Sequence, residues 1–175
     1  MSRIRVVLAD DHMIIRSYIR KVLHQAPDIV VVGEASDGPS TIKTACDLKP
    51  DVVLLDIEMP GLNGIEATYR LQEQGITAPI LMISSHNDSH LIFALFQIGV
   101  TGYISKDEVL TQIVPAVRAA AKGHSKLISH KLAPLLPEAV QEELTEINEK
   151  EAVYSSEVVS MDAERQFEHA AVRVY

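Results

Sequence analysis

The stretch Pro50-Asp51-Val52-Val53-Leu54-Leu55-Asp56-Ile57-Glu58-Met59-Pro60-Gly61-Leu62-Asn63-Gly64 sets the reading of the whole chain. A proline drives the residue before it out of the helical region, so Pro50 marks the end of a preceding helix. Val52 to Leu55 then form an unbroken apolar run, as in a strand covered on both faces. Asp56 closes the run, and Pro60-Gly61 marks a turn. Beyond it the spacing becomes helical, with Ile65, Tyr69 and Leu71 near one face and Gly75 as a stop. A buried strand, an acid at its tip, a short loop and an amphipathic helix follow one another.

The same unit recurs in both directions. Further apolar runs are Ile4–Ala9, Ile29–Gly33, Ile80–Ile83 and Gly102–Ser105, and Pro27 and Pro79 precede two of them. Helical patterns fill about 12–25, 37–48, 64–74, 88–98 and 107–122. Such alternation with short loops predicts a parallel sheet joined by right-handed crossovers, with helices on both faces. Ligands then bind outside the carboxyl ends of the strands. Asp10 and Asp11 end the first run, Asp56 the third and Ser84 the fourth, while Lys106 follows the fifth. Four strand ends offer reactive groups along one edge.

Carboxylates at neighbouring loop tips repel one another and raise each other's pKa. A hard divalent cation relieves this, and Mg²⁺ takes a few carboxylates together with waters and phosphate oxygens. A carboxylate beside such an ion can attack phosphorus to form an acyl phosphate. Lys106 is then the cation for the transferring oxygens, and the Ser84 hydroxyl a donor to them. Singly, each residue has a plainer use. Asp10 or Asp11 would cap the helix near His12, Asp56 would open a turn, and Lys106 would sit in solvent. Their joint placement at matching strand ends selects the chemistry. His12 adjoins the acids but has no second histidine at ligand spacing, and His24, His86, His90, His124, His130 and His169 are too dispersed for a zinc site.

Composition suits one domain with an appendage: 175 residues, 47% of them hydrophobic. No apolar run reaches the roughly 18 residues of a membrane helix, and the apolar stretch after Arg5 meets Asp10 too early for a signal peptide. The single cysteine, Cys46, leaves no internal disulfide or multi-thiolate metal site and reads as a small buried hydrophobe. A soluble, cytoplasmic protein without membrane contact is expected. Charge is uneven: residues 137–175 carry ten acids against three basic residues. Regular alternation stops at Gly123. Residues 124–136, with Pro134, read as a linker, and 137–150 as an amphipathic helix bearing Val140, Leu144 and Ile147, with Pro137 in its first turn. Residues 151–175 show no clear period.

Val7-Leu8-Ala9-Asp10-Asp11-His12, Asp28 to Gly38, Pro50 to Gly64, Pro79 to Ser84 and Gly99 to Lys106 together closely resemble the receiver domain of bacterial two-component response regulators, in its NarL-like (LuxR-type) branch. The likeness runs over about residues 3–130. It implies a flavodoxin-like (CheY-like) doubly wound five-stranded parallel sheet, order 2-1-3-4-5, here with a C-terminal helical extension. It implies domain limits of 1–123 for the receiver, 124–136 for a linker and 137–175 for an acidic extension. By the same resemblance Asp56 is the phosphoacceptor and a sensor histidine kinase the donor. Asp11, Asp56 and the backbone carbonyl of Glu58 would ligate Mg²⁺, with Asp10 assisting through water. Ser84 and Tyr103 would be the switch pair and Lys106 the phosphoryl-binding lysine, 22 residues after Ser84 as is usual in the family. Glu58 and His86 flank the site and are expected to tune dephosphorylation.

NarL-like chains continue into a helix-turn-helix domain of roughly sixty residues with a basic recognition helix. The 52 residues after Gly123 include the linker and are acidic, so DNA binding by this chain is not expected. The expected output is control of a downstream protein target or of homodimerisation, in a phosphoacceptor rather than an enzyme. Two alternatives stand beside it: a DNA-binding regulator with a truncated or degenerate output domain, and, more remotely, a phosphatase with an aspartate nucleophile.

Overall fold

A computed structural model describes residues 2–142 and 144–146. Five strands, β1 (Ile4–Ala9), β2 (Ile29–Ala35), β3 (Val52–Asp56), β4 (Ile80–Ser84) and β5 (Gly102–Ser105), alternate with five helices. These are α1 (Met13–Gln25), α2 (Gly38–Leu48), α3 (Gly64–Glu73), α4 (Ser89–Gln97) and α5 (Val109–Ala121). The strands pair in parallel in the order β2-β1-β3-β4-β5, the doubly wound arrangement the resemblance implied.

The apolar runs look continuous because successive side chains enter different layers. Val52 and Leu54 face α1 and α5, packing with Ile19, Leu23, Ile113 and Val117. Val53 and Leu55 face the other way, with Ala45 of α2, Ala67 and Leu71 of α3, and Ile92 and Leu95 of α4. Every residue of β3 and β4 is buried. Each large aliphatic side chain so placed contributes about 1.5–3 kcal/mol.

Local sequence sets how α3 starts. Asn63 accepts from the Glu66 amide at 2.9 Å, and Glu66 accepts from the Asn63 amide at 3.0 Å, a reciprocal cap. Gly64 follows, and only glycine fits there: a Cβ would lie 2.3 Å from the Asp56 carbonyl oxygen. The helix therefore begins tight against the end of β3.

Three expectations need correction. Tyr69 is 48% exposed, and Gly64, Ala67, Thr68 and Leu71 form the buried face instead. Residues three and four apart share a helix face, and Tyr69 is two from Leu71. Cys46 is half-buried rather than buried. The helix expected over 137–150 is a single turn, α6 (Glu138–Gln141), followed by the short strand β7 (Thr145–Glu146).

Upstream of α6, residues read as a linker lie against the sheet. They form β6 (Leu127–Ile128), parallel to β5, and a 3₁₀ turn over Ala133–Leu135. Leu127, Ile128, Leu132 and Leu136 are buried, and β7 extends β6. A one-turn helix has little stability of its own, whereas pairing to an open sheet edge satisfies the backbone and lets the half-buried Leu144 join the core. Ile147 and the residues after it lie outside the described part. Among the described residues no helix is long and apolar enough to cross a membrane.

Candidate functional site

Strand order alone brings the first acids together. β1 and β3 are neighbours with Ala9 opposite Leu55, so Asp10 and Asp56 emerge side by side. Ser84 and Ser105 are paired at the ends of β4 and β5. Lys106 follows, its amide donating to the Ser84 carbonyl at 2.8 Å. From there its side chain reaches past β4: the ammonium donates to Asp56 Oδ2 at 2.8 Å and lies 3.1 Å from Asp10 Oδ2. All three groups are buried, Lys106 the least so at 8% exposure.

Burial pushes the Asp56 carboxyl up to about 6. The Lys106 charge pulls it down, the Asp10 charge pushes it up again, and the Glu58 amide favours the charged form. Burial works against the Lys106 ammonium too, but Asp10 and Asp56 together outweigh it and raise its pKa. One lysine is shared by two buried carboxylates, so the pocket holds a surplus of negative charge.

The donor set fits a hard divalent cation. Asp10, Asp11, His12 and Asp56 present ligand atoms within 4.8 Å of one another. Asp10 Oδ2 is buried, and the Lys106 ammonium that it faces at 3.1 Å is shared with Asp56. A buried carboxylate oxygen so placed is a natural ligand for an ion or its water. His12, which spacing gave no reason to include, sits here: its amide donates to Asp10 Oδ1 at 2.8 Å and its Nδ1 is 2.8 Å from Asp11 Oδ1.

The remaining residues gather at the same edge. Ser84 is buried, and its Oγ accepts from the His86 amide at 3.1 Å. Tyr103 is wholly buried, its hydroxyl donating to the His86 carbonyl at 2.7 Å. Burial raises the Tyr103 phenol pKa, with the neighbouring Ser84 hydroxyl opposing the rise. Glu58 and His86 are exposed and meet at 2.9 Å between Oε1 and Nε2. The candidate site residues Asp10, Asp11, Asp56, Glu58, Ser84, His86, Tyr103 and Lys106 thus lie at one edge. Two supports were missed. Arg16 donates to the Asp10 carbonyl oxygen and pairs with Glu34, fixing the loop after β1. Gly64 lets α3 press on the Asp56 backbone. A cation one turn and a half after an acid pair was the only available signal for Arg16.

A response regulator receiver domain model matches residues 6–118. The transcriptional regulatory protein LiaR of Bacillus subtilis (strain 168) is 39% identical over 126 residues, covering 72% of this chain and 60% of that protein. The nitrate/nitrite response regulator protein NarL of Escherichia coli (strain K12) is 37% identical over 131 residues, covering 75% and 60%. The chain spans about three fifths of the length of these relatives. Among solved structures, the signal receiver domain of a putative response regulator NarL from Mycobacterium tuberculosis superposes with a TM-score of 0.68 at 34% identity, covering 71% of this chain and 100% of that one.

Proposed function

The chain belongs to the response regulator receiver family of two-component systems, and on that premise we propose that Asp56 accepts a phosphoryl group from a sensor histidine kinase in a Mg²⁺-dependent transfer. The observation that carries this reading is the pocket in which one buried Lys106 ammonium serves both Asp56 and Asp10, with Asp11 gathered beside them.

Asp11, Asp56 and the Glu58 backbone carbonyl would hold the ion, with Asp10 assisting through water. When bound, Mg²⁺ offsets negative charge on the transferring oxygens. An ionised Asp56 oxygen attacks the phosphorus of a phosphohistidine. The O–P bond forms as the N–P bond breaks, and the electron pair returns to the donor's imidazole nitrogen. Lys106, already on Asp56, moves its ammonium to the phosphoryl oxygens. The Ser84 hydroxyl donates to one of them, leaving space that the inward Tyr103 ring fills. Such a switch biases a two-state equilibrium by a few kcal/mol of differential contact. Glu58 and His86 stand where they can help or block an attacking water. Replacing both with Ala should change the lifetime of phospho-Asp56; an unchanged decay rate removes them from that role.

This reading makes residues 1–123 the receiver, 124–136 its connection and 137–175 an acidic extension, in a cytoplasmic protein. Its output is an altered contact with a downstream protein or a second copy. A DNA-directed output is the alternative, motivated by the similarity to the transcriptional regulatory protein LiaR, and a mobility-shift assay separates the two.

The deciding experiment is incubation with acetyl phosphate, followed by intact mass and mapping of the modified peptide. One phosphoryl group on Asp56, absent in the presence of chelator, is the expected result. Modification elsewhere, or continuous turnover of a phosphomonoester, overturns the assignment.

A further inference from the structure

We propose that residues 127–136 act as an intramolecular clamp that keeps the Tyr103 ring inward, so that docking of this segment and occupancy of Asp56 favour each other. The inference rests on the phosphoacceptor reading above and assigns a regulatory contact to that same site.

In the five-stranded order β5 would be an open edge, and here it is covered. The Leu127 amide donates to the Thr101 carbonyl at 3.0 Å and the Ser129 amide to the Tyr103 carbonyl at 3.2 Å. Close approach depends on Gly102, where a Cβ would lie 2.8 Å from Leu127 Cβ. Two further ties bracket the residue that touches Asp56. The Ser105 amide donates to Ser129 Oγ at 3.2 Å, and the Lys131 amide donates to Glu108 Oε2 at 3.2 Å. Ser105 precedes Lys106 and Glu108 follows two residues after it. A shift of Lys106 toward new phosphoryl oxygens is therefore transmitted to the groups that hold the segment.

The apolar side of the segment addresses the aromatic directly. Ile128 is paired in register with Tyr103 on the side away from β4, and both belong to the layer containing Leu132, Ala133, Leu136, Ile92 and Leu95. Tyr103 has no exposed surface, so an outward turn of its ring must displace part of this layer. An inward ring and a docked segment support each other. By linkage, anything at Asp56 that favours the inward ring strengthens docking by the same factor that docking strengthens it.

Hydrogen exchange of the full chain, with and without Mg²⁺ and beryllofluoride as phosphoryl mimic, tests the clamp. Beryllofluoride should slow exchange of the Leu127, Ser129 and Lys131 amides about tenfold, an ordinary size for coupling between sites. Glu108→Ala, which removes the tie to Lys131 together with the bond from the Gln112 side chain, should weaken beryllofluoride binding about fivefold by the same coupling, whereas Gln112→Ala, which removes only the second, should not. Slowed exchange around Ser84 to His86 with residues 127–131 unaffected overturns the clamp and leaves the phosphoacceptor reading intact. Absence of any slowing, at the site or the segment, overturns both.

Discussion

Two ion pairs sit at opposite edges of the sheet, and both join an aspartate to a long cation. At the amino end, Arg118 grips Asp28 with two hydrogen bonds, from Nε at 2.8 Å and Nη2 at 2.7 Å. That fork lowers the Asp28 pKa, with the Arg118 hydrogen bond as the largest cause and partial burial working against it. At the carboxyl end, one Lys106 ammonium is divided between Asp10 and Asp56, and burial raises Asp56 to about 6. Arg118 is a planar donor matched to one carboxylate, and its place in the last turn of α5 suits a cation. Lys106 is a point charge facing two acids. The first arrangement matches one cation to one acid, whereas the second spreads one cation over two acids and leaves net negative charge in the pocket.

Exchanging the aspartates should separate these roles most sharply. Asp56→Asn is expected to abolish phosphoryl uptake from acetyl phosphate, whereas Asp28→Asn should leave it at the wild-type level, both read by intact mass. Uptake in Asp56→Asn would mean that the pocket is not the acceptor. Next in size is Lys106→Met, which keeps much of the apolar stem but strands Asp10 and Asp56 without a counter-charge. Urea unfolding in chelator should show a loss of about 3 kcal/mol, the usual result of removing one partner from a buried pair. Added Mg²⁺ should recover part of it, because an ion bound only by the folded state stabilises it. A smaller loss, about 1–3 kcal/mol, is expected for Gly64→Ala from forcing a Cβ against the Asp56 backbone.

The regions that read well in the sequence are those where one local signal decides. β3 is a closed apolar run with an acid at its end, and β1, β4 and β5 repeat the pattern, so the sheet and its reactive edge were legible. Tyr69 failed because its spacing from Ile65 suits a helix face while its spacing from Leu71 does not, and Leu71 is the residue in the core. β6 and β7 were illegible for a different reason. Two-residue strands have no period, and their conformation is fixed by the open edge of β5, far away in sequence. Arg16 and His12 belong to the same class: contacts with the loop after β1 depend on how α1 sits, which spacing does not give.

The smallest effect is also the finest test of the comparison, since the two aspartates should respond to pH with opposite sign. Asp28 has a folded pKa below its unfolded value, so its pair stabilises above the unfolded carboxylate range and that gain is lost as pH falls through the folded pKa. Its side chain is 46% exposed, so solvent screening limits the gain to under about 1 kcal/mol. Asp28→Asn should therefore cost that small amount near neutrality and nothing in acid. Asp56 has a folded pKa near 6, above the unfolded value, so the folded state holds its proton more tightly. Its ionisation destabilises the fold as pH rises from about 4 to about 6. Asp56→Asn should remove that penalty, gaining stability relative to wild type above about pH 6 and losing the advantage below about 4. Urea midpoints of both variants in chelator from about pH 2.5 to about 7.5 would show the Asp28 cost growing as pH rises to about 4 and the Asp56 gain growing between about 4 and about 6. Parallel curves would mean that burial does not set Asp56 apart from Asp28.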